Sequence, residues 1–206
     1  MQPNSEYRNM ASDSLTGKWG GAAVIMIIYF LIYAAASALL GTSEGSFAWQ
    51  MLAYFLLFPM SWGVSVAFLK VARGSDIDYG SLFVGYNDFL RIALTGLLRY
   101  VYIVLWSLLL VVPGIIKAYS YSMTPYILND DADMKYDKAI EKSMAMMDGH
   151  KLELFVLDLS FIGWGILCLF TFGIGFLFLI PYMEAAHAHF YEDLKHEADE
   201  AGYTFV

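Results

Sequence analysis

The chain predicts an all-α, polytopic transmembrane helical bundle, and three observations carry that prediction. Five apolar runs, 19–40, 47–69, 92–112, 152–172 and 173–191, are each about 19 to 23 residues long, the length a helix needs to cross roughly 30 Å of hydrocarbon. The 206 residues are 59% hydrophobic and 16% charged, with a mean hydropathy of +0.54, where a soluble domain would be nearer a quarter charged. No polar stretch is long enough to fold alone. One transmembrane domain over 19–191 is therefore expected, with tails at 1–18 and 192–206. In lipid each backbone N–H and C=O must be paired within its own segment, so the runs are helices.

The run 19–40 carries no charge. Its residues Ala34, Ala35, Ala36, Ser37 and Ala38 have the small-residue spacing of a signal-cleavage site. Glu6 and Asp13 lie upstream beside Arg8 and Lys18, unlike a short basic leader, so the small residues are read as helix-packing positions. The run 47–69 is also uncharged and holds Pro59 near its centre. The run 92–112 contains Arg99 and leads into Pro113-Gly114, the expected hairpin turn, because Pro ends a helix and Gly tolerates the bend.

The next stretch, 115–128, is about 14 residues and too short to span alone. Suppose it returns as a tilted or re-entrant sixth segment. Then Arg8, Lys18, Lys70, Arg73, Arg91, Lys135, Lys138, Lys142, Lys151 and Lys195 all lie on one side. If it does not return, the basic residues split between the faces. The positive-inside rule favours the first scheme, giving about six segments in the cell membrane with both termini cytoplasmic. Residues 134–148 read as a cytoplasmic amphipathic helix. Tyr136, Ala139, Ile140, Ser143, Met144 and Met147 recur at helical spacing, Asp130, Asp131 and Asp133 suit its N-terminal cap, and Gly149 suits the position after its end. Its Met-rich stripe is expected to pack on the bundle.

Formal charge is −8 with no basic patch, which excludes nucleic acid and a polybasic lipid anchor. The expected partners are the lipid bilayer and, beyond it, other membrane proteins or a second copy of the chain. A single Cys168 forms no intrachain disulfide. Trp19, Trp49, Trp106 and Trp164 suit interfacial anchoring.

Ionisable residues inside apolar runs are costly and are functional candidates by default. Arg99, Asp158 and Glu184 each lie about seven residues from an expected cytoplasmic boundary, roughly 10–12 Å deep at 1.5 Å per residue. Arg99 is expected either to pair with Asp158, Glu184 or both, or to snorkel to the headgroups. Asp158 alternatively holds a neighbouring hydroxyl as a structural polar residue. His187 follows Glu184 by one turn, the Glu-x-x-His spacing of carboxylate-bridged metal sites. A second copy is missing, so no metal is expected, and a proton-titrating pair or interfacial histidines are favoured. The His-Glu-x-x-His, Gly-x-Ser-x-Gly and phosphate-loop patterns are absent, so neither a catalytic residue nor a cofactor is expected.

Several strings from Ser81 onward carry a resemblance. They are Ser81-Leu82-Phe83, Trp106-Ser107-Leu108-Leu109, Pro113-Gly114-Ile115-Ile116-Lys117 and Tyr119-Ser120-Tyr121-Ser122-Met123, then Pro125-Tyr126-Ile127-Leu128. The later ones are Ala139-Ile140, Ser143, Met147, Gly149-His150-Lys151, Leu157-Asp158-Leu159-Ser160-Phe161-Ile162-Gly163-Trp164, Pro181-Tyr182 and Phe190-Tyr191-Glu192. In this order they resemble a bacterial membrane family catalogued as domain of unknown function 975. The resemblance implies a multi-pass bacterial membrane protein and supplies no activity. Glu184 with His187 and His189 departs from the more neutral residues expected there. A looser likeness links the 113–114 hairpin and the 139–149 helix to the membrane domain of some glycerophosphodiester phosphodiesterases, whose soluble barrel is absent here.

The leading functional expectation is a non-enzymatic membrane accessory or scaffold protein. A small-solute or lipid transporter is the alternative, carried by the broken hairpin, Pro59, Pro125, Pro181 and the buried charges. An intramembrane enzyme using Asp158, Glu184 and His187 ranks third.

Overall fold

The computed structural model describes residues 2–41, 47–134 and 136–200, with the side chains of 39–41 and 47–54 excepted. Most of the expected loop 41–46, the Trp49 side chain, Lys135 and residues 201–206 lie outside the described residues. Among those described, all regular structure is helical. The α-helices are α1 (Asn4–Leu15), α2 (Trp19–Gly41), α3 (Phe47–Ala72), α4 (Phe89–Leu109), α5 (Val111–Ser120), α6 (Thr124–Asp130), α7 (Asp137–Met146), α8 (Lys151–Phe170) and α9 (Phe176–Glu200). A 3-10 helix, Tyr79–Tyr86, precedes α4. Four helices are long and apolar enough to cross a membrane, through Trp19–Ala38, Phe55–Ala72, Phe89–Leu109 and Lys151–Phe170. The chain is a membrane protein on that ground.

The expected tail 1–18 contains a helix. Tyr7, Ala11 and Leu15 recur every fourth residue in α1 and are fully buried, chiefly against α9. The Tyr7 hydroxyl donates to Asp193 at 2.8 Å, and its ring meets Phe190 edge-on at 5.2 Å. The expected tail from 192 likewise continues α9 as far as Glu200. Ala34, Ala35, Ser37 and Ala38, read as packing positions, are exposed on α2.

At the centre stands the C-terminal half of α3, with Met60, Trp62, Val64, Val66, Ala67, Phe68, Leu69 and Val71 all buried. After α3 the chain folds back along it. Lys70 binds Asp78 and Ser81, both at 2.9 Å, and the Asp78 carboxylate accepts from the Gly80 N–H to start the 3-10 helix. The Tyr86 hydroxyl donates to the Leu56 carbonyl at 3.0 Å. So close an approach requires glycine on both sides. A Cβ at Gly63 would lie 2.5 Å from the Leu82 carbonyl oxygen, and one at Gly85 2.6 Å from that of Pro59. As a result α4 starts beside Phe55, whose ring meets Phe89 at 5.5 Å.

Pro113-Gly114 is not the hairpin turn. Leu110, with extended backbone (φ −161°, ψ 145°), separates α4 from α5. Pro113 sits in the first turn of α5, where its missing N–H forfeits no intrahelical bond. Gly114 is where α5 crosses α4, since an added Cβ would run into Ser107. The stretch 115–128 is a broken helix, α5 giving way to α6 at Tyr121–Met123.

The amphipathic helix occurs as Asp137–Met146 and packs on α6, α4 and α5. Ala139, Ile140, Ser143, Met146 and Met147 are buried, whereas Tyr136 is 39% exposed. The expected acidic cap is absent. Tyr136 precedes the helix without a side-chain cap, Asp131 instead accepts from the N–H groups of Asp133 and Met134, and Asp130 belongs to α6. Gly149 is left-handed (φ 88°) beyond the helix end, as its position demands.

Helices α8 and α9 form an antiparallel hairpin, paired at His150–Glu197, Asp158–His187 and Phe161–Tyr182. Its turn falls at the expected junction, with Phe172 (φ 51°) and Gly173 (φ 86°) both left-handed and Phe172 99% exposed. The contacts Lys18–Asp76, Tyr7–Asp193, Arg73–Glu192 and His150–Glu197 bring α1, the end of α3, the start of α8 and the end of α9 to one face.

Candidate functional site

The ionisable residues of the apolar runs converge, though not in the expected pairs. Asp158, on α8, is held from two sides. His187 Nε2 of α9 lies 2.6 Å from Oδ1, and the Tyr119 hydroxyl of α5 donates to Oδ2 at 2.9 Å. Antiparallel α8 and α9 place Asp158 opposite His187, and α5 ends at Ser120 with Tyr119 against α8. Arg99 is not Asp158's partner. It faces Tyr126 of α6 and Glu184 of α9, with no carboxylate within 4.0 Å, and its Nε is buried without a hydrogen-bond partner. Ser65, on α3, lies against both Tyr126 and Glu184.

Packing explains why Arg99 stays unpaired. Helix α4 packs on α3, α5, α7 and the 3-10 helix but not closely on α8 or α9. Arg99 lies near Tyr126 and Glu184, and Glu184 in turn lies near His187, one turn along α9, and Ser65. Ser65, Arg99, Tyr119, Asp158, Glu184 and His187 all retain partial exposure, with 26% for the Asp158 side chain and 24% for His187. Tyr126 is 3% exposed. Among the described residues no set of three or more His, Cys, Asp or Glu side chains is arranged to hold a metal ion.

The broken helix beside these residues is locked from α7. Fully buried Ser143 accepts from the Met123 N–H at 3.1 Å and donates to the Ser120 carbonyl at 2.9 Å, satisfying both sides of the break at once. Trp62 Nε1 donates to the Pro125 carbonyl at 2.8 Å. Arg91 Nη1 donates to the carbonyls of Leu128, Asp131 and Met134, capping the C-terminal end of α6. Lys117 lies 5.1 Å above the Trp106 ring and 3.6 Å from Met144 Sδ.

A second charged network sits at the face where the chain ends meet. Arg73 grips Asp130 bidentately at 2.8 and 2.7 Å and Glu192 at 2.9 and 2.7 Å. Lys195 adds a 2.6 Å contact to Asp130 and Tyr191 a 3.1 Å one. Burial works against the charged form of Asp130, but Arg73 and Lys195 outweigh it and hold the carboxyl well below the usual carboxylate range. Elsewhere, a cleft of about 450 Å³ lined by Trp19, Trp164, Cys168, Phe178 and Tyr182 opens between α2 and the α8–α9 hairpin. It has no ionisable side chain except Cys168 and Tyr182, and Arg99, Asp158, Glu184 and His187 do not line it.

Two overlapping stretches, 1–120 and 108–198, match the family described as protein of unknown function, DUF975. The chain belongs to this family. The match takes in every helix of the site and extends the sequence resemblance through α1 and α2. Comparison with curated proteins and with solved structures finds no match.

Sequence reasoning picked out Arg99, Asp158, Glu184 and His187 but missed Ser65, Tyr119, Tyr126 and Ser143. The hydroxyl-rich string Tyr119–Ser122, interrupting an apolar stretch, was the available signal for a break in need of polar partners.

Proposed function

We propose that this multi-pass membrane protein binds and handles a small polar solute or a lipid headgroup at Arg99, beside Tyr126 and Glu184. One observation carries the reading: the buried Nε of Arg99, on a helix apolar enough to span a membrane, has no hydrogen-bond partner, and no carboxylate lies within 4.0 Å of the guanidinium. A buried cation without a partner is costly, and a ligand or water that completes its hydrogen bonds removes that cost. The α5–α6 break beside it resembles the discontinuous helices that line transport sites. Removing Cys168 and placing a single cysteine at Ser65 tests the reading with a small water-soluble thiol reagent. Modification of S65C, with none at the buried control A186C, is the expected result; an unreactive S65C in folded protein overturns it.

A non-enzymatic accessory or scaffold role is the second reading. The direct ties from Asp158 to His187 and Tyr119 favour it, because cross-helix bonds of this kind fix packing without any ligand. The same labelling separates the two.

The topology that goes with both readings has six segments in the cell membrane, the fourth being broken α5–α6, with both termini and α7 cytoplasmic. Support comes from the meeting of α1 with the end of α9, which calls for an even number of complete crossings, and from Lys18, Arg73, Lys151 and Lys195 near that face. An impermeant amine reagent applied to intact cells should leave Lys138 and Lys142 unlabelled; labelling of either reverses the orientation.

A further inference from the structure

We infer that the apolar cleft between α2 and the α8–α9 hairpin holds one acyl chain of a membrane phospholipid whose net negative headgroup is bound by Arg8. This site is separate from the one at Arg99, and neither depends on the other. The cleft, about 450 Å³, is bounded by α9 and by α2 and α8, two of the helices long and apolar enough to cross a membrane. Buried Cys168 and Leu179 form its floor, and the half-exposed rings of Trp164 and Phe178 its rim. Its two ends differ. Where the hairpin turns, Thr171 Oγ1 accepts from the Gly175 N–H at 2.9 Å and donates to the Cys168 carbonyl at 2.8 Å, so the polar atoms there are spent. At the other end stand Ser12, Trp19 and Tyr182, the two rings 6.1 Å apart. Arg8 precedes Ser12 by one turn on the same face of α1. Arg8, Ser12 and Tyr182 have side-chain donors that no described residue accepts, and Arg8 forms no ion pair within 4.0 Å. The acids of α1, Glu6 and Asp13, project roughly a third of a turn further round and leave that charge unanswered.

An apolar slot with a guanidinium and two hydroxyls at one mouth matches a phospholipid, chain within and phosphate at the mouth. Arg8 supplies five N–H donors in a planar fork, suited to phosphate oxygens. A free phosphate would leave the slot unfilled, and an uncharged alkyl chain would leave the donors unmet. Lipid tails are as apolar as the slot, so entry of the chain gives little preference in itself. Discrimination therefore falls to the headgroup, where a single unpaired cation favours a net negative lipid over a zwitterionic one. A formal charge of −8 without a basic patch fits one lipid held at this mouth, not a general attraction to an anionic surface.

Because Trp19 and Trp164 line the cleft, it carries its own reporters. The test places the full chain in phosphatidylcholine nanodiscs containing a rising fraction of phosphatidylglycerol brominated on its acyl chains, which quenches tryptophan fluorescence on contact. Brominated phosphatidylcholine in the same discs is the reference. Saturable quenching by the phosphatidylglycerol is expected, with a midpoint about five-fold below that of the reference, the preference one arginine near the surface confers. R8Q should bring the two midpoints together, whereas K138Q, a substitution on α7 away from the cleft, should leave them apart. The double variant W19F/W164F should lose the saturable component. Equal midpoints for the two lipids in the wild type overturn the inference, as does a preference that survives R8Q in full. Saturable quenching that persists in W19F/W164F puts the lipid elsewhere and also overturns it. Glycerol phosphate in the surrounding buffer should not displace the lipid; displacement would assign Arg8 to a free phosphate instead. The wild-type comparison needs no substitution, so misfolding of a variant does not blunt the result.

Discussion

Two charged regions of this molecule obey opposite rules. Around Asp130 every charge has its counter-charge in close geometry, with Arg73 bidentate and Lys195 and Tyr191 closing the remaining directions. Around Arg99 the charges are just as numerous, yet the cation stays unpaired and only Asp158 and His187 meet. Completed pairing at Asp130 joins the ends of α3, α6 and α9 into one unit. Incomplete pairing at Arg99 leaves a buried Nε without a partner. The first pattern is that of a structural joint; the second, on the reading proposed above, is that of a binding site.

The sharpest way to break this contrast is to neutralise one member of each. D130N should destabilise the protein by roughly 2–4 kcal/mol, less than a fully buried pair would lose because Arg73 and Lys195 are part-exposed. R99Q should change stability by less than about 1 kcal/mol, or raise it, since no ion pair is lost and a desolvated charge is removed. Reversible denaturant unfolding in mixed micelles measures both. Equal losses would put Arg99 in a structural joint after all.

Acid sharpens the same comparison. Because the folded protein holds the Asp130 carboxyl below its unfolded value, the unfolded chain takes up the proton first. The stabilisation is complete above the ordinary carboxylate pKa, about 3.9, and is lost as pH falls from there towards the depressed folded value. Wild-type stability should therefore drop more steeply below about pH 4 than that of D130N, with the two curves converging in acid. Parallel curves would mean Asp130 is not held ionised by Arg73.

A somewhat smaller effect is expected where the break meets α7. S143A removes one hydroxyl that serves both the Met123 N–H and the Ser120 carbonyl, leaving two buried backbone groups unpaired, at about 1–3 kcal/mol. Hydrogen exchange should accelerate at Met123 and its neighbours ahead of the rest of the bundle. Uniform acceleration would show that the break is held from elsewhere, for instance by Trp62 at Pro125.

What could be read from residues alone follows from what each signal encodes. Length and apolarity set the spans of α2, α3 and α8 to within a few residues, because hydrocarbon thickness dictates them. Rotation about each axis is another matter. Helices apolar on every face, such as α2 and α3, carry no stripe to say which side faces which neighbour. Asp158, Glu184 and Arg99 could thus be placed in one layer, while their partners could not. Helix α1 escaped notice because three buried residues, Tyr7, Ala11 and Leu15, are a thin stripe in a polar tail. The turn was misplaced at Pro113 because Pro both ends helices and begins them. The 3-10 helix needed Gly63 to lie against the Leu82 carbonyl and Gly85 against that of Pro59, a tertiary fact that local pattern does not hold.

The mildest perturbation separates the readings most finely. Y119F deletes the hydroxyl that donates to Asp158 while keeping the ring, which meets Phe155 edge-on at 5.8 Å. Loss of one hydrogen bond to a part-exposed carboxylate should cost about 0.5–1.5 kcal/mol. If Asp158 serves only as a cross-helix tie, stability is all that changes. If it also keeps His187 in place beside Glu184, then Y119F should weaken ligand binding at the Arg99 site several-fold more than its loss of stability accounts for. Measuring both quantities on one preparation decides it, since a tie that fixes packing and a tie that fixes charge assignment differ only in the second.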